Sequence, residues 1–164
     1  MQLFTYLDYR PDIHQTCFLA PSVQIIGRFS AEENVNIWFN TVIRADVNFI
    51  KISANTNVQD LCMLHVTEKN PLIIGKNVTV GHSAILHGCK IEDNCLIGMG
   101  SKILDGAIIG EGSLVAAGSV VPPGKTYPPN SFIIGTPAKA TRELTAKESI
   151  QVRNHYKAYV GYAN

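Results

Sequence analysis

From Ile52 onward an aliphatic residue returns at almost every sixth position: Ile52, Val58 and Leu64, then Ile74, Val80, Leu86, Ile91, Ile97, Ile103, Ile109, Val115 and Val121. Four places after each of these the chain is mostly small, as at Thr56, Cys62, Val78, Ala84, Cys95, Ser101, Ala107, Ser113 and Ser119. A glycine or alanine often follows directly (Gly75, Gly81, Gly98, Gly110, Ala116), where a corner needs either a positive φ or no bulky Cβ. A helix repeats about every 3.6 residues and a half-buried strand about every two, so a sustained six describes neither alone. It is the period of a solenoid in which each repeat supplies one short strand and one corner. A β-sandwich of short alternating strands is the competing reading, but it has no reason to keep its spacing constant. Residues 67–71 break the period and read as a loop, and the five-residue step from Leu86 to Ile91 leaves the register open, with Ile85 as the alternative inward residue.

The pattern resembles the left-handed parallel β-helix, in which three hexapeptides make one triangular coil; the handedness is an expectation of that resemblance. Three faces follow from residue order. Ile52, Ile74, Ile91 and Ile109 stack on the first, Val58, Val80, Ile97 and Val115 on the second, and Leu64, Leu86, Ile103 and Val121 on the third. Residues 1–20 read as an irregular lead-in, residues 21–140 as the β-helix, and residues 143–162 as a C-terminal helix, all within a single domain spanning 1–164. Pro122, Pro123, Pro128 and Pro129 end the regular repeat, and an extended piece over 132–135 precedes Thr136-Pro137-Ala138.

The faces turn histidine spacing into geometry. His65 and His87 each follow a third-face aliphatic residue, so they stack about ~4.8 Å apart on consecutive coils, close enough to share one metal ion. His82 lies on the second face and points away from that pair. If all three bind one ion, His82 must come from another subunit, and a three-sided prism closes most simply as a homotrimer. Three imidazoles with a fourth position left for water is the arrangement of a catalytic metal, whereas a structural site fills all four positions with protein ligands.

Bulk properties narrow the function classes. At 164 residues and 46% hydrophobic the chain has enough core to fold without staples. A formal net charge of +1, with no cluster of Lys and Arg, gives no footprint for nucleic acid or a membrane surface. No apolar run approaches the ~18 residues of a spanning helix and the N-terminal residues lack a signal-peptide series, so the expected location is cytoplasmic. Of the four cysteines, Cys62 and Cys95 occupy small inward positions, Cys89 lies near His87 and Cys17 falls in the lead-in. None has Cys-x-x-Cys spacing, which favours reduced core thiols over zinc thiolates or disulfides.

The runs Arg44-Ala45-Asp46-Val47-Asn48, Thr56-Asn57-Val58-Gln59-Asp60, Met63-Leu64-His65, Val80-Gly81-His82-Ser83-Ala84-Ile85-Leu86-His87-Gly88-Cys89 and Leu96-Ile97-Gly98-Met99-Gly100 resemble the gamma-class carbonic anhydrase family. The resemblance extends over residues 21–142, to the exit Gly135-Thr136-Pro137-Ala138-Lys139. It implies reversible hydration of CO2 to bicarbonate by a lyase of the hexapeptide-repeat class. It makes His65, His82 and His87 the metal ligands, with His82 donated by the adjacent subunit, and zinc the metal, with iron or cobalt accepted in its place. Gln59 is similar to the glutamine that orients the attacking hydroxide, and its amide can both donate and accept. Asp60, one coil below His82, is placed to take a proton from a ligand histidine or to pair across the interface. Arg44 and Asp46 resemble an inter-subunit ion pair, and Tyr156 matches, in looser register, a tyrosine near the site.

Two departures bear on rate. The family's long acidic loop after the first ligand histidine is here only residues 67–71, and its glutamate beyond the Arg-x-Asp run is Val47. Both are candidate proton relays, which leaves Glu68 as the local acidic substitute. Two other functions share the same architecture: an acyl-CoA thioesterase or acyltransferase using the inter-subunit cleft with one histidine as general base, and a non-catalytic trimeric scaffold. Only one histidine would be needed by the first of these.

Overall fold

Each hexapeptide folds as a strand of two or three residues and a corner, and each strand pairs in parallel with those one coil before and after it. In this computed structural model, which describes residues 1–163, the coils stack into a solenoid of about seven turns. The second face is the ladder Phe18–Leu19, Asn36–Ile37, Asn57–Val58, Thr79–Val80, Leu96–Ile97, Leu114–Val115 and Ser131–Gly135. The first and third faces merge into one sheet because the long strand Val42–Ile52 runs around the corner between them, pairing with Met63–His65 through its first part and Leu72–Ile74 through its last. The aliphatic residues of the repeat, from Ile52 to Val121, have no exposed surface, and the small positions between them are also buried. A narrow prism leaves room at its axis for one branched side chain per face, which is why the period is strict.

The open register resolves on Leu86. It pairs with Leu64 and Ile103 and is buried, while Ile85 is half-buried and faces outward. Gly88 takes up the short step with φ +49° and donates its N–H to the carbonyl of His65 at 2.9 Å.

Corners are built in two ways. At Gly98 the backbone conformation is ordinary, but a Cβ would stand 2.5 Å from the amide nitrogen of Ala117 and 2.6 Å from the carbonyl oxygen of Val115 on the next coil. Other corners take positive φ, among them Asn34, Asn55, Asn77 and Asn94, which form a side-chain ladder: the Nδ2 of each of the first three donates to Oδ1 of the next asparagine at 3.0 to 3.1 Å. Asparagine tolerates the left-handed region, and the ladder satisfies its amide along the stack.

The ends differ from the sequence expectation. Gln2–Phe4 and Asp12–Ile13 pair in parallel with Gln24–Ala31, and Phe18–Leu19 pairs with Asn36–Ile37, so residues 1–20 form the opening coil instead of an irregular lead-in. Their spacing departs from six because the coil carries extra turns, which hides it from a period search. After Ser131–Gly135 the strand Ala138–Glu143 folds back antiparallel against it. Thr145 then caps helix α1, Ala146–Asn154: its hydroxyl accepts from the N–H of Glu148, whose carboxylate accepts from the N–H of Thr145. The single helix expected over 143–162 is two, α1 and α2, Tyr156–Tyr162, joined at His155. The pair lies along the second face, where Trp38 meets Tyr159 edge-on at 5.9 Å. The four cysteines are free, and burial pushes the thiols of Cys62 and Cys95 up to about 12, as inert core residues.

Candidate metal centre

The parallel register places His87 directly above His65, and His65 above Arg44. The two imidazole rings are 4.9 Å apart, with His65 Nδ1 and His87 Nε2 separated by 2.9 Å. Their other nitrogens face carboxylates: His65 Nε2 is 3.2 Å from Asp46 Oδ1, and His87 Nδ1 is 2.5 Å from Asp105 Oδ1. A ring N–H donated to each carboxylate fixes the tautomers and turns both lone pairs toward each other. Two acceptors facing at that distance require a cation between or beside them, either a proton or a metal, so the donor set fits a metal ion.

The surroundings keep these groups in the required protonation states. Burial lowers the pKa of His65, with Arg44 and His87 adding to it against the pull of Asp46, so the ring stays neutral and able to coordinate. Burial opposes ionisation of Asp46, but the N–H of Val47, His65 and the guanidinium of Arg44 outweigh it and hold the carboxyl below its ordinary range. Arg44 and Asp46 are therefore an ion pair within one chain, joined through Arg44 Nη1, and Asp46 also serves His65.

His82 sits on a different face, after the strand Thr79–Val80, with Nδ1 2.8 Å from Asp60 Oδ2. Each of the three histidines thus carries an aspartate on one nitrogen. Among the described residues of one chain, no three His, Cys, Asp or Glu side chains converge in a way that could hold a metal. A cavity of about 260 Å³ opens beside His82, lined by Gln59, Thr79, Met99, His155 and Tyr159 among others. Gln59 is 3% exposed; its Oε1 accepts from the backbone N–H of His82 at 3.2 Å and its Nε2 donates to Asn57 Oδ1 at 3.3 Å.

Tyr156 does not line this cavity; Tyr159 and His155, on the same side of the helical pair, do. Helical spacing runs on through His155, whose backbone is itself helical, and puts Val152, His155, Tyr159 and Tyr162 on one face, with Tyr156 to the side of it. Asp105 also escaped the sequence reading, although it lies one coil beyond His87 and that offset could have found it. Val47 is exposed, and the short loop holding Glu68 is tied down by Asn48, whose Nδ2 donates to the carbonyls of Thr67 and Glu68.

With this geometry in place, comparison with known proteins becomes specific. The family described as bacterial transferase hexapeptide (six repeats) matches residues 71–102 and 88–123. The chain is 48% identical to the "Probable carbonic anhydrase" of Methanocaldococcus jannaschii, over 87% of this chain and 89% of that protein. It is 47% identical to the "Carbonic anhydrase" of Geobacillus kaustophilus, over 96% of this chain and 87% of that one. The chain belongs to the gamma carbonic anhydrase-like family. It also matches the family's member "Gamma carbonic anhydrase 2, mitochondrial" of Arabidopsis thaliana at 38% identity, spanning 98% of this chain but 60% of the plant protein's length; for gamma carbonic anhydrase 1 of that plant the share is 55%. Among solved structures, a hexapeptide transferase family protein from Anaplasma phagocytophilum superposes with a TM-score of 0.95 at 36% identity, covering 99% of this chain and 96% of the other. A Bacillus cereus protein provisionally named an acetyltransferase superposes with a TM-score of 0.96 at 46% identity, covering 99% and 94%. The family's architecture therefore carries names for two chemistries. Among the described residues no helix is long and apolar enough to cross a membrane.

Proposed function

We propose that this protein interconverts CO2 and bicarbonate, with a metal ion held between subunits by His65 and His87 of one chain and His82 of its neighbour in a homotrimer. The observation that carries the reading is the approach of His65 Nδ1 to His87 Nε2 at 2.9 Å, each ring oriented by its own aspartate, with a third histidine paired to an aspartate on another face. Zinc is the metal that three neutral imidazoles suit best, with iron or cobalt as alternatives. When bound, the metal acts as a Lewis acid that makes hydroxide available near neutral pH.

The chain's own residues do the rest. Asp46, Asp60 and Asp105 hold the rings in the tautomer that presents a lone pair, which raises ligand basicity and limits ring rotation. Gln59 keeps one N–H and one lone pair beyond its two internal hydrogen bonds, so it can orient a small oxygen nucleophile in the cavity beside His82. The apolar walls at Leu96, Ile97 and Met99 suit an uncharged gas. Arg44 lies one coil below His65 and keeps Asp46 ionised.

Names given to the Bacillus and Anaplasma proteins favour a second reading, acyl transfer or thioester hydrolysis in the same cleft. The deciding experiment is metal analysis of the purified oligomer together with assays of CO2 hydration and of acyl-CoA turnover. Near-stoichiometric metal with hydration is the expected result. Stoichiometric metal with acyl-CoA turnover and no hydration at any buffer concentration would replace the proposal with the thioester reading, and metal with neither activity would leave a scaffold.

A further inference from the structure

A continuous line of hydrogen bonds, buried from Gln59 to Thr79 and part-buried at its outer end, joins the C-terminal helical pair to Gln59. Gln59 Nε2 donates to Asn57 Oδ1 at 3.3 Å; Asn57 Nδ2 donates to Thr79 Oγ1 at 2.8 Å; and Thr79 Oγ1 lies 3.2 Å from His155 Nδ1. Asn57 and Thr79 have essentially no exposed surface. From this network we infer that His155 is a positioning residue for Gln59, acting through Thr79 and Asn57. The inference rests on the reading of the Gln59 cavity as the reaction site.

The argument is one of polarity. Asn57 Nδ2 also reaches the carbonyl of Val78 at 3.4 Å, so the amide's nitrogen end faces Thr79 and its oxygen end faces Gln59. The Thr79 hydroxyl accepts from Asn57 and has one proton to donate, and His155 Nδ1 is the acceptor beside it. Partial burial lowers the pKa of His155, which favours the neutral ring, and with the ring proton on Nε2 the Nδ1 lone pair accepts from Thr79. A Thr79 proton turned toward Asn57 would set donor against donor at Nδ2; a flip of that amide would relieve the clash only by setting its oxygen against the Val78 carbonyl, and Gln59 would then be asked to aim its NH2 group at the N–H of His82. Donor would face donor. His155 removes that alternative and leaves Gln59 with its oxygen on the His82 backbone and a spare N–H for the cavity. The ring is itself held by Tyr159, stacked at 6.0 Å with a 23° tilt, and Tyr159 is anchored on Trp38. The position of the helical pair is thereby read out at the amide of Gln59, and no sequence motif within the repeat encodes it.

The test uses the full-length oligomer loaded with zinc, with Thr79→Val and His155→Leu to break the line at two separate elements, and Thr79→Ser and His155→Asn to keep a hydroxyl or an acceptor in place. Thr79→Val preserves shape in the strand, so it decides the matter if His155→Leu unfolds. The first readout is hydrogen exchange at the Gln59 side-chain NH2, followed by NMR with ¹⁵N-labelled glutamine and assigned by its loss in Gln59→Leu. The second is the split between kcat and KM for CO2 hydration. Exchange at Gln59 should quicken roughly threefold to tenfold in Thr79→Val and His155→Leu, the range one buried hydrogen bond accounts for, and stay close to wild type in Thr79→Ser and His155→Asn. kcat should fall by a similar factor with KM and metal content unchanged. Unaltered Gln59 exchange in a folded Thr79→Val protein overturns the inference. If the parent protein hydrates no CO2, the proposed reaction is lost, while the exchange measurement still decides whether His155 positions Gln59.

Discussion

His87 stands directly over His65, one coil higher, with His65 Nδ1 and His87 Nε2 2.9 Å apart. Each ring is oriented from behind by an aspartate, so in the proposed site the pair forms half of the ligand set and His82 of a neighbouring chain supplies the third ligand. Replacing any of the three with alanine should therefore release the metal: two remaining protein ligands hold it weakly, and metal analysis after dialysis should read near zero in His65→Ala, His82→Ala and His87→Ala. Full occupancy in any one of them would remove that residue from the ligand set.

Complementation tests the subunit assignment. A His82→Ala chain and a His65→Ala chain, refolded together, should regenerate some complete sites in mixed trimers and recover part of the metal. Mixed trimers that form but bind nothing would mean the ligands belong to a single chain.

Proton transfer should limit the rate. Val47 offers no acid-base group, and Glu68 sits on a loop pinned by Asn48. Hydration should rise with the concentration of an imidazole-type buffer, and Val47→Glu should raise turnover under weak buffering by up to about 10²-fold while metal content stays the same. A rate that ignores both would point to a group already carrying the proton, with Tyr159 and His155 as candidates from the cavity wall.

Stability of the metal-free protein should depend on pH through two partly desolvated histidines, His65 and His155. Burial lowers the pKa of both His65 and His155 below the ordinary histidine value of about 6.5. The unfolded chain takes up those protons first, so stability is complete above that pH and is lost as pH falls toward the folded values. Urea midpoints should drop between about pH 7 and pH 5, and the drop should shrink in His155→Asn. An unchanged midpoint across that range would contradict the burial argument.

Gly98→Ala should destabilise the coil stack by about 2 kcal/mol or more, since the added methyl meets the backbone of Val115 and Ala117 and a packed solenoid cannot widen at one corner. Thermal melting of the variant measures this. Gly118→Ala, where a Cβ meets nothing within 4 Å but φ is +70°, should cost less, about 1 kcal/mol from the left-handed backbone alone.

Much of this molecule was written in one dimension. A six-residue period fixes which face each residue joins, so the stacking of His65 and His87, the isolation of His82 and the burial of the aliphatic series follow from counting along the chain. Counting works there because neighbouring coils repeat the same backbone geometry, and the period carries side-chain direction with it. It failed where the repeat is broken or absent. Residues 1–20 turned out to be a coil, Ala138–Glu143 a returning strand, and the C-terminal helix two helices, because none of these segments carries the six-residue spacing that could be counted. The link between Thr79 and His155, separated by 76 positions, is also beyond counting. Which end of a buried amide faces the cavity depends on the donors and acceptors that packing brings together, and only the tertiary structure could decide it.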